Sequence, residues 1–152
     1  MTDAAHQASH NQFGDLPVWD LDDLYPGTES AEFEAALGKA RTDAADFENA
    51  HKGKLAERAA KGTLMEAISA YESLSDLVGR LGSYAQLYYV LDTIDPDRAK
   101  FMGDVQQALT DLSAKLIFFE LEINRIADEL LEQALSSDRE LGRYRPWFDE
   151  LR

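Results

Sequence analysis

DPDRAKFMGDVQQALTDLSAKLIFFELEINRIADELL, running from Asp95 to Leu131, is the stretch whose reading decides the fold. It opens as a helix does: Asp95 can cap with its carboxylate, Pro96 suits the first helical position, and Asp97 sits where the helix dipole favours an anion. The apolar side chains that follow are Met102, Val105, Leu109, Leu112, Leu116, Phe119, Ile123, Ile126 and Leu130. Their spacing alternates three and four without a break, the repeat of helices packed side by side. The pattern predicts one unbroken helix of roughly 40 Å or more at about 1.5 Å per residue. Ile117, Phe118 and Leu121 widen the stripe in the middle, so more than one partner helix is expected there. A helix this apolar on one side is not stable alone in water, and the rest of the chain must cover it.

The cover lies immediately upstream. Leu64, Ile68, Tyr71, Leu74, Val78, Leu81, Ala85, Tyr88 and Leu91 form a second long stripe. Thr63 and Glu66 before it have the spacing of a capping box. Gly79 and Gly82 interrupt the stripe at about 1 kcal/mol each against alanine, marking either a bend or a close approach of another helix. Only Asp92, Thr93 and Ile94 separate this stripe from Asp95, which makes the two helices an antiparallel hairpin. A third helix, capped by Ser30, carries Phe33, Leu37, Ala40, Ala44 and Phe47 on one face and ends at Lys52-Gly53. After Leu135, Ser136-Ser137-Asp138 breaks the pattern, a short helix restarts at Arg139, and Pro146 precludes one continuous helix through Trp147-Phe148. The fold class is therefore all-α: a helical bundle built on a long antiparallel hairpin. It divides into a polar tail (1–14) and a helical domain (15–152), with an N-terminal docking segment (15–28) ahead of the helices (29–152).

In the docking segment, Leu16, Val18, Trp19, Leu21, Leu24 and Tyr25 are too many apolar groups for a free linker, and Pro17 and Pro26-Gly27 forbid a long helix. We expect one turn or an extended strip that buries Trp19 on the helices. Asp20, Asp22 and Asp23 lack the glycine and distal Glu of a calcium loop and read as solvated or capping carboxylates.

Composition limits the function. With 45% apolar residues the chain is globular in type, and without cysteine it has neither disulfides nor thiolate metal sites. No stretch reaches the roughly 20 apolar residues of a membrane span, and the N-terminus lacks the features of a secretory signal. A formal charge of −14 disfavours nucleic acid and anionic membrane as partners. His6 and His10 are four apart, as in a zinc-binding His-Glu-x-x-His helix, but Gln7 holds the Glu position and an amide cannot act as general base. His51 stands at a helix end, where the dipole welcomes a cation, and reads as structural. Tyr88 belongs to the stripe. Tyr84 and Tyr89 are left as candidates to face a ligand, although aromatics at helical spacing are more often core. No catalytic or metal-binding residue is assigned, and no substrate-binding residue can be named.

Trp19-Asp20-Leu21-Asp22-Asp23-Leu24-Tyr25-Pro26-Gly27 resembles the N-terminal signature of oligoendopeptidase F, a zinc metallopeptidase of the wider thimet oligopeptidase family. The resemblance continues through Tyr84-Ala85-Gln86-Leu87, Leu91-Asp92-Thr93 and Phe118-Phe119-Glu120-Leu121-Glu122, and covers most of Phe13 to Arg152. It implies an all-helical N-terminal domain that forms part of the wall of a deep peptide channel in a cytoplasmic hydrolase. In that family the zinc ligands and the general-base Glu lie in the C-terminal part, on a His-Glu-x-x-His helix with a further Glu downstream. This chain has no His-Glu-x-x-His, so no catalytic or zinc-binding residue carries over. The implied cofactor is zinc in the parent enzyme and none in this chain; the implied partners are the C-terminal catalytic domain and oligopeptide substrates. The pattern stops at Leu151-Arg152, just past Trp147-Phe148, and we expect a fragment cut near a domain boundary, with self-association through the face left uncovered. The alternative is a free-standing acidic helical interaction module, which periodicity and composition alone would favour.

Overall fold

The computed structural model describes residues 19–152, and among them it contains seven helices and no strand. They are α1 (Ala31–His51), α2 (Leu55–Lys61), α3 (Leu64–Leu91), α4 (Pro96–Ile123), α5 (Asp128–Ser137), α6 (Arg139–Gly142) and α7 (Arg145–Leu151). The all-α bundle and its central hairpin are as the periodicity predicts. The expected tail, with His6, Gln7 and His10, lies outside the described residues, as do Leu16, Pro17 and Val18.

α3 and α4 pack on one another more extensively than any other pair, and α1 packs on both. Tyr88 meets Phe101 with ring centroids 5.7 Å apart, and Tyr71 stacks on Phe119 at 4.3 Å. Numbers fall along α3 as they rise along α4, so the arms are antiparallel. Between these pairs Gly82 faces Leu109: a Cβ added there would lie 3.2 Å from Leu109 Cδ1. Gly82 therefore marks a close approach, whereas Gly79 has open space around it. Phe33 of α1 lies 5.2 Å from Phe101, and Phe47 lies 5.3 Å from Phe119, so α1 runs parallel to α4. Ala40 and Ala44 are fully buried, and their small side chains let α1 settle into the groove between the arms.

The turn between the arms is held by its own side chains. The Asp92 carboxylate accepts from the Ile94 N–H at 3.1 Å, and Asp95 accepts from the N–H groups of Asp97 (2.8 Å) and Arg98 (3.4 Å). Arg98 reaches back to donate to the Tyr88 carbonyl at 2.9 Å, with its guanidinium 4.4 Å from the Tyr88 ring centroid. Ser30 caps α1 by accepting from the Phe33 N–H at 3.2 Å.

The long helix does not run unbroken to Leu131. It stops at Ile123, where the Asn124 side chain donates to the Glu120 carbonyl at 3.0 Å and i→i+3 bonds tighten the turn through Ile126. Ile123 is buried before the break, Ile126 within it and Leu131 after it, so the stripe serves two helices and the turn between them. In the widened middle of α4 only Phe118 is covered; Ile117 and Leu121 are 63% and 50% exposed. Thr63 makes no side-chain cap bond. Its own N–H, the group a capping-box Glu would engage, already donates to the Arg58 carbonyl at 2.9 Å, and Glu66 pairs with Arg58 at 2.9 Å instead. Gly62 at φ 71° ends α2, a helix the sequence reading omits; Leu55 and Ala59 of α2 are buried against α3, α4 and α5.

The C-terminal helices close one end of the bundle. Asp138 caps α6, Arg145 grips both carboxylate oxygens of Glu132 at 2.7 and 2.9 Å, and Phe148 is buried. A Cβ on Gly142 would lie 2.8 Å from the Leu135 carbonyl oxygen, a backbone atom that cannot swing aside. Gly142→Ala should therefore lower stability by about 1–3 kcal/mol. Gly79→Ala should be neutral or stabilising by up to about 1 kcal/mol. Urea titration of the two variants reads this difference, and equal midpoints would contradict the close approach of α6 to α5.

Candidate functional site

The Trp19–Gly27 segment makes a single turn, with the N–H groups of Leu24 and Tyr25 donating to the Leu21 carbonyl at 2.9 and 3.1 Å. Asp20 accepts from the Asp22 N–H at 3.0 Å, the local role expected of a turn carboxylate. The residue that docks is Tyr25, 5% exposed, whose ring meets Phe33 and Tyr84 edge-on at 5.2 and 5.3 Å. Arg80 of α3 fixes this arrangement from outside. Its guanidinium lies 5.2 Å from the Tyr25 ring centroid and donates to the carbonyls of Asp23 and Leu24 at 3.0 and 2.9 Å. Trp19, expected to be buried, is 59% exposed. The turn at Leu21–Tyr25 aims the tyrosine inward, and a single aromatic ring fills the space between Phe33 and Tyr84.

Beside this segment a groove of about 580 Å³ runs between the N-terminal halves of α1 and α4. Its floor is Phe33, Leu37, Phe101, Val105 and Ala108, with Tyr88 at one side. Its rim carries Glu29, Glu34, Asp97 and Asp104 together with Arg41 and Lys100; Lys100 and Asp104 are paired at 2.6 Å. An apolar floor with a charged rim of both signs suits a short peptide, whose side chains use the floor and whose charges use the rim.

The candidate tyrosines are redistributed. Tyr84, left as a candidate to face a ligand with core as the commoner reading, is 2% exposed and belongs to the core, and burial raises its phenol pKa. Tyr88, assigned to the core stripe, is half-buried and lines the groove. Phe101 is also missed by periodicity, because Met102 satisfies the stripe and leaves its neighbour unassigned.

His51 is 7% exposed and its Nδ1 has no hydrogen-bond partner. Burial, then the charges of Arg58 and Lys54, lower its pKa; Glu66 opposes them. The cation expected at this helix end is thus disfavoured: α2 folds over His51 and brings its own arginine. A base with a depressed folded pKa contributes stability that is full above its unfolded value of about 6.5 and is lost as pH falls below it. Stability should therefore fall between pH 7 and pH 5, and His51→Leu should flatten that slope when urea midpoints are measured across the range. The exposed carboxylates Glu48, Glu57 and Glu132, whose pKa values are lowered by Lys52, Lys61 and Arg145, act in a separate window below about 4.5.

Among the described residues no group of three or more His, Cys, Asp or Glu side chains is placed to hold a metal ion, and no helix is long and apolar enough to cross a membrane. Comparison with known proteins matches the chain to no family model, to no curated protein and to no solved structure.

Proposed function

We propose that this chain is the N-terminal helical domain of a cytoplasmic zinc oligopeptidase of the oligoendopeptidase F type, forming part of the wall of the substrate channel. The observation that carries the reading is the Trp19–Gly27 signature, whose Tyr25 is held by Phe33, Tyr84 and Arg80 directly beside the α1–α4 groove. In this reading the groove supplies binding energy that positions a peptide, while the bond is broken on another domain. The described residues offer no ligand set for the family's zinc, which on this reading is held by the C-terminal catalytic domain. The coding sequence beyond Arg152 tests the proposal: a downstream His-Glu-x-x-His with a further Glu supports it, and an immediate stop codon overturns it. With the downstream residues present, Phe101→Ala and Arg41→Glu should change which peptides are cut more than whether any are cut.

A second reading, a free-standing acidic interaction module, is favoured by the apolar side chains left in water. Val90, Leu91 and Ile94 are exposed at the hairpin tip, and Ile117 and Leu121 on α4. These also make self-association of the isolated chain an expected property.

A further inference from the structure

At the end of the bundle occupied by α7, away from the groove, α3 and the C-terminal helices line a second, open cavity of about 330 Å³. Its walls are Ile68, Tyr71, Glu72 and Ser75 from α3, with Tyr144 and Trp147 from the segment entering and forming α7. Three aromatic rings thus surround a space that also contains a carboxylate. Both phenols are already engaged: Tyr144 donates to Glu72 at 2.8 Å, and Tyr71 donates to Glu120 at 3.3 Å. A phenol that donates to a carboxylate carries more electron density in its ring, and an electron-rich ring attracts cations more strongly.

Among the described residues no cation uses these rings. Elsewhere in the bundle such pairings are filled: Arg80 lies over Tyr25, Arg98 over Tyr88 and Lys52 over Phe118. Among the described residues no Lys or Arg lies over Tyr71, Tyr144 or Trp147, and neither Glu72 nor Glu120 forms an ion pair. The basic side chains that flank Tyr144 in sequence are committed elsewhere, Arg143 to Glu140 at 3.2 Å and Arg145 to Glu132 at 2.7 Å. The volume is near the lower end for small-molecule sites, roughly 300–1,000 Å³, which admits one long side chain.

From this cage we propose that the chain binds the cationic side chain of a basic residue in a partner peptide, with the aliphatic stem along Ile68 and the charged head among Tyr71, Tyr144, Trp147 and Glu72. The aromatic walls, the unpaired carboxylate and the net charge of −14 all select the same kind of occupant. The site is independent of the preceding functional reading and stands whether or not a catalytic domain follows.

The test uses the full 152-residue chain carrying Trp19→Phe, which leaves Trp147 as the only tryptophan. The probes are three capped tripeptides, glycine–X–glycine, with X as lysine, arginine or norleucine. They are titrated by Trp147 fluorescence and by the chemical shift of its indole N–H. The lysine and arginine peptides should bind saturably, and the norleucine peptide, of nearly the same stem but no charge, roughly tenfold or more weakly. Glu72→Gln, at an exposed position, should weaken the charged peptides about fivefold or more without moving the thermal midpoint. Tyr144→Phe, which keeps the ring, should retain most of the binding. Norleucine binding as well as lysine, an unchanged affinity in Glu72→Gln, or no saturable shift at about 10 mM probe would each overturn the proposal.

Discussion

Phe119→Ala should be among the most destabilising single truncations in this chain, at about 3–5 kcal/mol. Phe119 has no exposed surface, and its ring touches Tyr71 of α3, Phe47 of α1 and Trp147 of α7 at 4.3, 5.3 and 6.3 Å. One side chain on α4 therefore joins three other helices, and removing it leaves a cavity that none of them can fill without moving away from the rest. Against a typical total stability of about 5–15 kcal/mol, this is a large fraction of the whole. Ile117→Ala, two residues away on the same helix but 63% exposed, should change stability by no more than about 0.5 kcal/mol. Urea unfolding followed by far-UV circular dichroism compares the pair. A Phe119→Ala loss below about 1 kcal/mol would show that α4 is not the hub of the bundle.

The second large effect is at Tyr25. Tyr25→Ala should cost about 3 kcal/mol or more and release the segment ahead of α1. The ring is packed by Phe33 and Tyr84 and covered by Arg80, so its removal leaves Arg80 bonded to carbonyls with no ring beneath it. Trp19→Ala should be nearly silent, because the indole is 59% exposed. Limited proteolysis adds a second readout: Tyr25→Ala should open the bonds between Trp19 and Pro26 to cleavage while α3 and α4 stay protected. The reverse ranking, a damaging Trp19→Ala and a harmless Tyr25→Ala, would refute the docking geometry.

The contrast between those two aromatics shows what the sequence carries and what it does not. Composition marks the segment ahead of α1 as one that packs, and over Trp19 to Gly27 it does so through Tyr25, but composition cannot say which ring goes in, because that depends on how a one-turn hydrogen-bonded loop points its side chains. The hairpin was legible because its signals are local and agree: Asp95 and Pro96 start α4, two matched stripes flank them, and three residues join the stripes. The break at Asn124 was hidden because Ile126 and Leu131 remain buried across it, so apolar spacing continues where the backbone hydrogen bonds stop. α2 escaped notice because seven residues are too few to establish a period. Of the two cavities, neither could be read in advance. Phe33 pairs with Phe101, and Tyr71 meets Trp147 across the second cavity, only through tertiary packing of distant segments.

The tight turn at Asp92–Asp95 also sets an order in time. Two arms joined by so short a connection can begin pairing next to the turn with little loss of chain entropy and extend away from it, so Tyr88 with Phe101 and Gly82 with Leu109 are available early. Tyr144, at the entry to α7, reaches back across 72 residues to Glu72, and Trp147 seats on Phe119 only once that end of the bundle is in place, so these contacts must await both arms. Asp95→Ala, which removes the cap that starts the second arm, should then act mainly by slowing refolding. Phe148→Leu in α7 should act mainly by speeding unfolding. The hairpin that gives the bundle its shape would thus also be its nucleus, and the aromatic cage at the other end would be the last part to assemble and the first to open.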